Sequence, residues 1–290
     1  MNGRDWVDRT LYPFESHFQD TPAGTMHYVD VGRGEPIVFA HGNPTWSFMY
    51  RELIKGLCND YRCVAPDYIG FGLSDKPSHW SYRPRDHAAH FAALINSLNM
   101  KDITLAVHDW GGPIALSYAI EHPSVVKRLI IFNSFLWELN DKGFAPQFFS
   151  RVMGGPIGRY LCMRHNFFAN TIMKRGVSDP SHLPPHIHEH YLKPFDDPKS
   201  RRGTWVFPRE LLASRKWLAS LWARRDALSD KPALIVWGMS DRAFKKADLE
   251  RWQTMLPRNS LVWAETGHFV PEEMGARLVP EIRTFMEHNK

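Results

Sequence analysis

Cysteine is scarce in this chain. Of 290 residues only Cys58, Cys63 and Cys162 are cysteine, an odd number without a Cys-x-x-Cys pair, which excludes a disulfide framework and a thiolate zinc site. Long apolar runs are missing too: the stretch Leu129 to Leu139 is interrupted and too short to span a bilayer. Met1 to Thr10 carries charges where a signal peptide needs an apolar core. A cytoplasmic location with no membrane partner is therefore expected. Clustered charge of one sign is also lacking. The net charge is +5, but Lys and Arg are scattered apart from short pairs such as Arg201-Arg202 and Lys245-Lys246, so no nucleic-acid partner is expected. No repeat or low-complexity tract is present. What the sequence does have is aromatic residues, 13% of the chain with 11 Trp.

Short runs rich in β-branched residues, at Pro36-Ala40, Arg62-Ala65, Ile103-Val107, Leu129-Phe132, Ala233-Trp237 and Leu261-Ala264, read as buried parallel strands. Helical patterns lie between them, at about Trp46-Leu57, Arg85-Leu98, Pro113-Glu121, Lys245-Met255 and Glu272-Glu287. The alternation indicates an α/β class with a mostly parallel central sheet flanked by helices. Met26-Val31 followed by Gly32-Arg33-Gly34 reads as a hairpin adding antiparallel strands at one edge. Between 135 and 229 the alternation stops, and aromatic residues and prolines indicate short helices. The expected organisation is one core, 1–134 and 230–290, interrupted by a helical cap at 135–229.

Val107-His108-Asp109-Trp110-Gly111-Gly112 follows a strand and opens a helix. That is the position of the G-x-S-x-G nucleophile elbow, with Asp109 in place of Ser. A carboxylate nucleophile attacks carbon and forms an ester; the alternative is that Asp109 only caps the helix. His41-Gly42-Asn43-Pro44 follows an earlier strand, where a loop supplies one oxyanion-hole N–H while the residue after the nucleophile supplies the other. Asn43 and Trp110 would therefore be the two backbone donors, with side chains projecting into one cavity; the alternative is an Asn-Pro turn in which Asn43 only caps the helix at Trp46. Asp241 and His268 follow the last two strands, completing the order nucleophile, acid, histidine.

These motifs resemble the haloalkane dehalogenases of the α/β-hydrolase superfamily, from about Gly24 to the C-terminus. The residues that carry the likeness are His41 to Ser47, Asp67 to Pro77, His108 to Gly112, Gly267-His268-Phe269 and, at the return from the cap, Arg201 to Glu210. Asp-Trp-Gly-Gly is shared with epoxide hydrolases, which use the same nucleophile and two cap tyrosines as acids; Tyr160 and Tyr191 lie in the cap. Asn43 beside Trp110 favours halide as the leaving group. In some subfamilies the triad acid is a Glu after the strand preceding the cap, where this chain has Asn133. Glu138 and Asp141 follow nearby, but Asp241 occupies the family's alternative position, an arrangement similar to the third subfamily.

The resemblance implies hydrolysis of a small haloalkane by water to a primary alcohol, halide and a proton, without cofactor or metal. Asp109, Asp241 and His268 would be catalytic, and Asn43 and Trp110 would bind halide. Phe144, Phe148, Phe149, Phe168, Phe207, Pro208 and Phe269 are expected to line a water-poor pocket. His182, His186, His188 and His190 have the close spacing of a metal site, but their Pro-rich, charged neighbourhood indicates a solvated loop instead. His87 and His90 are expected at the surface.

Overall fold

The computed structural model describes residues 6–138 and 143–290; Asp141 lies outside them. Its strands are β1 (His17–Thr21), β2 (Gly24–Val31), β3 (Pro36–Ala40), β4 (Arg62–Pro66), β5 (Ile103–Asp109), β6 (Val126–Ser134), β7 (Ala233–Gly238) and β8 (Asn259–Ala264). They form one sheet in the order β1-β2-β4-β3-β5-β6-β7-β8. From β4 to β8 neighbours are parallel, while β1 and β2 pair antiparallel, as do β2 and β4.

Parallel strands covered on both faces must be apolar throughout, and every residue of β3, β5 and β7 is buried. Successive side chains alternate between two cores. Val38, Leu105, Ile131 and Ile235 belong to one; Ile37, Ala106, Ile130 and Val236 belong to the other. The first is closed by α2 (Pro84–Ser97) and α3 (Gly111–Glu121), through Phe91, Ile95 and Leu116. The second is closed by Leu53 and Ile54 of α1 (Arg51–Leu57) and by Ile282 and Phe285 of the helix Val279–His288.

The hairpin lies one turn earlier than the sequence indicates. The turn falls between Thr21 and Gly24, joining β1 to β2, whereas Gly32 to Gly34 links β2 to β3, which are not neighbours. Gly32 and Gly34 do have positive φ, so the turn residues were legible but the pairing was not. The last helical pattern is also broken, into Val270–Met274, a 3₁₀ turn at Gly275–Leu278 and Val279–His288.

Between β6 and β7 the described residues form helices and turns only. They include α4 (Phe144–Gly154), α5 (Pro156–His165), α6 (Met173–Gly176), α7 (Pro185–Leu192), α8 (Arg202–Ala213) and α9 (Arg215–Ala223). Pro156 and Pro185 each open a helix, where no N–H is required. Glu273 ties this insertion to the core: its carboxylate accepts from Ser178 N and Oγ at 2.7 and 2.6 Å and from Gly267 N at 2.8 Å. Buried Glu272 does the same, paired with the two terminal guanidinium nitrogens of Arg51 at 2.7 and 2.6 Å and accepting from the hydroxyl of Tyr191 in α7.

Candidate active site

Asp109 ends β5 with φ of +48°, in the left-handed region that costs a non-glycine residue energy. The turn is held from several sides. Ser134 Oγ donates to the Asp109 carbonyl at 2.7 Å. A Cβ on Gly111 would sit 2.0 Å from the Ala40 carbonyl oxygen, and one on Gly112 2.0 Å from Ser134 Oγ, so α3 closes onto the sheet only because both residues are glycine. Gly42 is equally constrained, because its Cβ would lie 2.5 Å from the Asp109 carboxylate.

The Asn43 backbone N–H donates to Asp109 Oδ2 at 2.9 Å, and the Trp110 backbone N–H also interacts with the carboxylate. Burial pushes the Asp109 pKa up, against the opposing pull of His268 and these two N–H groups. Asn43 also donates its side-chain amide to the Thr204 carbonyl at 3.4 Å. That carbonyl is free because Pro208, four residues on within α8, has no N–H to offer it. Asn43 Oδ1 is buried without a partner, an unsatisfied acceptor that calls for an explanation in a native structure. The Trp110 indole N–H meets no acceptor among the described residues, and the ring packs against Phe135 and Phe207 at centroid distances of 4.9 and 5.5 Å.

His268 Nδ1 lies 2.8 Å from Asp241 Oδ2. Burial lowers the imidazole pKa, but the Asp241 charge and hydrogen bond, with Asp109, outweigh it and leave the pKa raised. For Asp241 burial acts upward, yet His268, the Asn133 amide and the Ala243 N–H bring the carboxyl down to about 2. Asn133 is the site residue whose role the sequence did not reveal. Its Nδ2 donates to Asp241 Oδ2 at 2.8 Å and to the Gly238 carbonyl at 3.1 Å, and its Oδ1 accepts from Gly238 N at 2.7 Å. Phe244 and Phe135 were missed as well: Phe244 stacks on His268 at 5.6 Å and on Phe135 at 5.6 Å. The only signal for either was an aromatic residue shortly after a strand end.

Some expected pocket residues meet this centre and others do not. Phe207 packs on Trp110, Pro208 adjoins it in a buried position, and Phe269 lies 4.8 Å from His268. Phe168 is buried next to Phe149, at 6.4 Å. Phe144 and Phe148 are instead 71% and 53% exposed, because α4 turns Ser150 and Met153 inward; Phe149 is 37% exposed.

His87 corrects the expectation of a surface residue: it is buried, with both ring nitrogens unpartnered, among Trp80, Tyr68 and Phe207. His90 is partly covered, stacked on Trp80. The expectation of a solvated loop for the other histidines is corrected in part: His186, His188 and His190 lie on α7, where His188 and His190 are buried and only His186 is exposed. His188 contacts the Ala169 carbonyl, His190 contacts the His186 carbonyl and stacks on Phe48, and His182 lies beside Glu273. Among the described residues no group of three His, Cys, Asp or Glu could hold a metal ion. The Asp67 to Pro77 motif is a structural knot, with Asp67 accepting from Ser47 N and Leu73 N, both at 2.8 Å, and facing His27. Tyr160 is 62% exposed, and the Tyr191 hydroxyl is committed to Glu272.

Residues 35–152 match the α/β hydrolase fold family. The haloalkane dehalogenase 2 of Mycobacterium tuberculosis is 38% identical over 95% of this chain and 96% of its own length. A cis-3-alkyl-4-alkyloxetan-2-one decarboxylase of Shewanella oneidensis is 34% identical over 96% of this chain and 90% of its own. Among solved structures, the haloalkane dehalogenase DbeA of Bradyrhizobium elkani aligns with a TM-score of 0.81 and 26% identity, covering 95% of this chain and 99% of that one. Sheet order, strand-end residues and these likenesses agree, and the chain belongs to the haloalkane dehalogenase family of α/β hydrolases.

Proposed function

We propose that this hydrolase cleaves the carbon–halogen bond of small haloalkanes, giving a primary alcohol, halide and a proton through an alkyl ester on Asp109. The observation that carries the reading is the buried Asp109 carboxylate beside a Trp110 indole N–H that meets no acceptor among the described residues. Halide leaves as a stable anion, so no general acid is needed. What the transition state needs is donors at the departing halogen, in a dry site where they act most strongly. Trp110 supplies one. The Asn43 amide supplies the other, with one of its hydrogens on the Thr204 carbonyl and one to spare.

In the second step water, deprotonated by His268, attacks the ester. Asp241 holds the imidazole tautomer and stabilises the imidazolium. With Asp109 Oδ1 bonded to the alkyl group, Oδ2 becomes the oxyanion, and the Asn43 N–H already rests on it. The helical segment 135–229 acts as a cap: Phe207 and Thr204 come from it. No cofactor takes part.

A second reading has support from the oxetanone decarboxylase relatives, 34% identical over 92–96% of this chain. A strained four-membered lactone opened at its ring carbon also releases an anion, a carboxylate, which the same donors would receive. Epoxide opening is less well supported, because it needs an acid and neither Tyr160 nor Tyr191 is free and close. The test is purified protein with 1-bromobutane or 1,2-dibromoethane, following bromide release and acidification, beside styrene oxide and a dialkyl β-lactone. Bromide release with an alkyl adduct on Asp109 in His268→Phe is expected. Carbon dioxide or diol without halide release would replace the reading.

A further inference from the structure

We propose that α4 is a docking helix that seats the protein on the surface of an anionic lipid bilayer. The sequence carries no sign of a membrane partner, and among the described residues no helix is long and apolar enough to cross one. Peripheral seating requires no such helix. It requires an amphipathic helix with apolar residues toward the acyl boundary and basic residues toward the headgroups.

Helix α4 has that form. Phe144, Phe148 and Arg151 recur at i, i+4 and i+7, one stripe of the helix, and all three side chains are exposed. Phe144 and Phe148 stack on each other at 5.5 Å while standing 71% and 53% in solvent. Two large aromatics exposed side by side form a contiguous apolar patch, the kind of surface that interaction sites use.

Charge selects the partner. From Gly143 to His165 the chain carries Arg151, Arg159 and Arg164 and no Asp or Glu. Where α4 ends, an open cleft of about 490 Å³ is lined by Arg151, Arg209, Arg215 and Lys216, together with Gly154 and Gly155. Arg151, Arg215 and Lys216 form no ion pair among the described residues. Arg209 alone has a nearby carboxylate, Glu210 at 3.1 Å. Cations without counterions beside bare phenylalanines fit a surface that offers phosphate and hydrocarbon together. A second copy of this chain fits poorly, because a twofold contact would bring the same basic patch against itself.

The position of the patch bears on the site. Ser150, on the inner side of α4, donates to the Pro208 carbonyl of α8 at 2.7 Å, and the preceding residue, Phe207, packs on Trp110. The docking face is thus the outer side of the two-helix layer whose inner side walls the site, so an apolar substrate dissolved in the bilayer is presented at the cap.

The experiment is cosedimentation of the full chain with phosphatidylglycerol or phosphatidylcholine vesicles at low and high salt. Binding to phosphatidylglycerol, weak binding to phosphatidylcholine and release by salt are expected. Each basic residue near an anionic surface contributes about fivefold in partitioning, so Arg151→Gln with Lys216→Gln is expected to weaken binding about 25-fold. Phe148→Ser, at unchanged melting temperature, is expected to weaken it about tenfold. Equal binding to both lipids, or variants that bind like the parent, would overturn the proposal. So would self-association that buries Phe148, or binding of inorganic phosphate without vesicle binding. Sedimentation reads binding rather than turnover, so its failure leaves the dehalogenation reading standing.

Discussion

Asn133 Nδ2 donates to Asp241 Oδ2 at 2.8 Å, across 108 residues of sequence. The residue that cannot be the triad acid therefore orients the residue that can. Its other contacts, both to Gly238, pin the end of β6 to the end of β7, so the Asp241 loop leaves the sheet at a fixed angle.

Removing that amide leaves a buried acceptor with one donor fewer. Asn133→Ala is expected to lower stability by about 1–3 kcal/mol, read from urea unfolding, and to raise the Asp241 pKa. Asp241 sits below its ordinary value, so its contribution to stability is present above the unfolded carboxylate value and lost as pH falls through about 2. In the variant the folded value lies closer to the unfolded one, so the contribution is smaller and its loss is complete at a higher pH, which acid titration of the fold checks.

Pro208→Ala separates stability from function. Alanine restores an N–H that bonds the Thr204 carbonyl and removes a proline from the interior of α8, which favours the helix. The same bond displaces the Asn43 amide from that carbonyl. Melting temperature is expected to rise while halide affinity, read by Trp110 fluorescence quenching, falls about fivefold, the worth of one hydrogen bond. Equal or tighter halide binding would show that Thr204 does not orient Asn43.

The pH profile follows from His268. The histidine must be neutral to take a proton from water, and its pKa is raised above the ordinary 6.5. It is protonated below its pKa, so the acid limb of kcat should have its midpoint above 6.5. Asp241→Asn removes the first of the groups that raise it and should move that limb to lower pH, together with a large loss of kcat. An unmoved limb would assign it to another group.

Glu273→Gln tests the tie between insertion and core. Losing a charge that accepts from Ser178 and Gly267 is expected to cost about 1.5–3 kcal/mol. Because Gly267 precedes His268, kcat should fall as well. Limited proteolysis at residues 177–184 would report loosening of the insertion, and unchanged protection there would argue against the tie.

The sequence by itself determined the alternation of strands and helices, the insertion between β6 and β7, and the placement of Asp109, Asp241 and His268 at strand ends. Each is written locally: buried parallel strands need unbroken apolar runs, and a sharp turn needs glycines where backbones approach. The tertiary structure alone decided the rest, because those features depend on partners far away in sequence. Nothing near Asn133 signals that its amide will meet Asp241, and nothing near Pro208 signals that the carbonyl it frees will hold Asn43. The hairpin was misplaced for the same reason, since turn residues mark where the chain can reverse but not which strands then pair. His87 reads as a surface residue beside Asp86 and is buried because Trp80 and Phe207 close over it. The aromatic excess divides likewise, with Trp110 and Phe207 facing the site and Phe144 and Phe148 facing outward, a sorting made by the orientation of α4 rather than by composition.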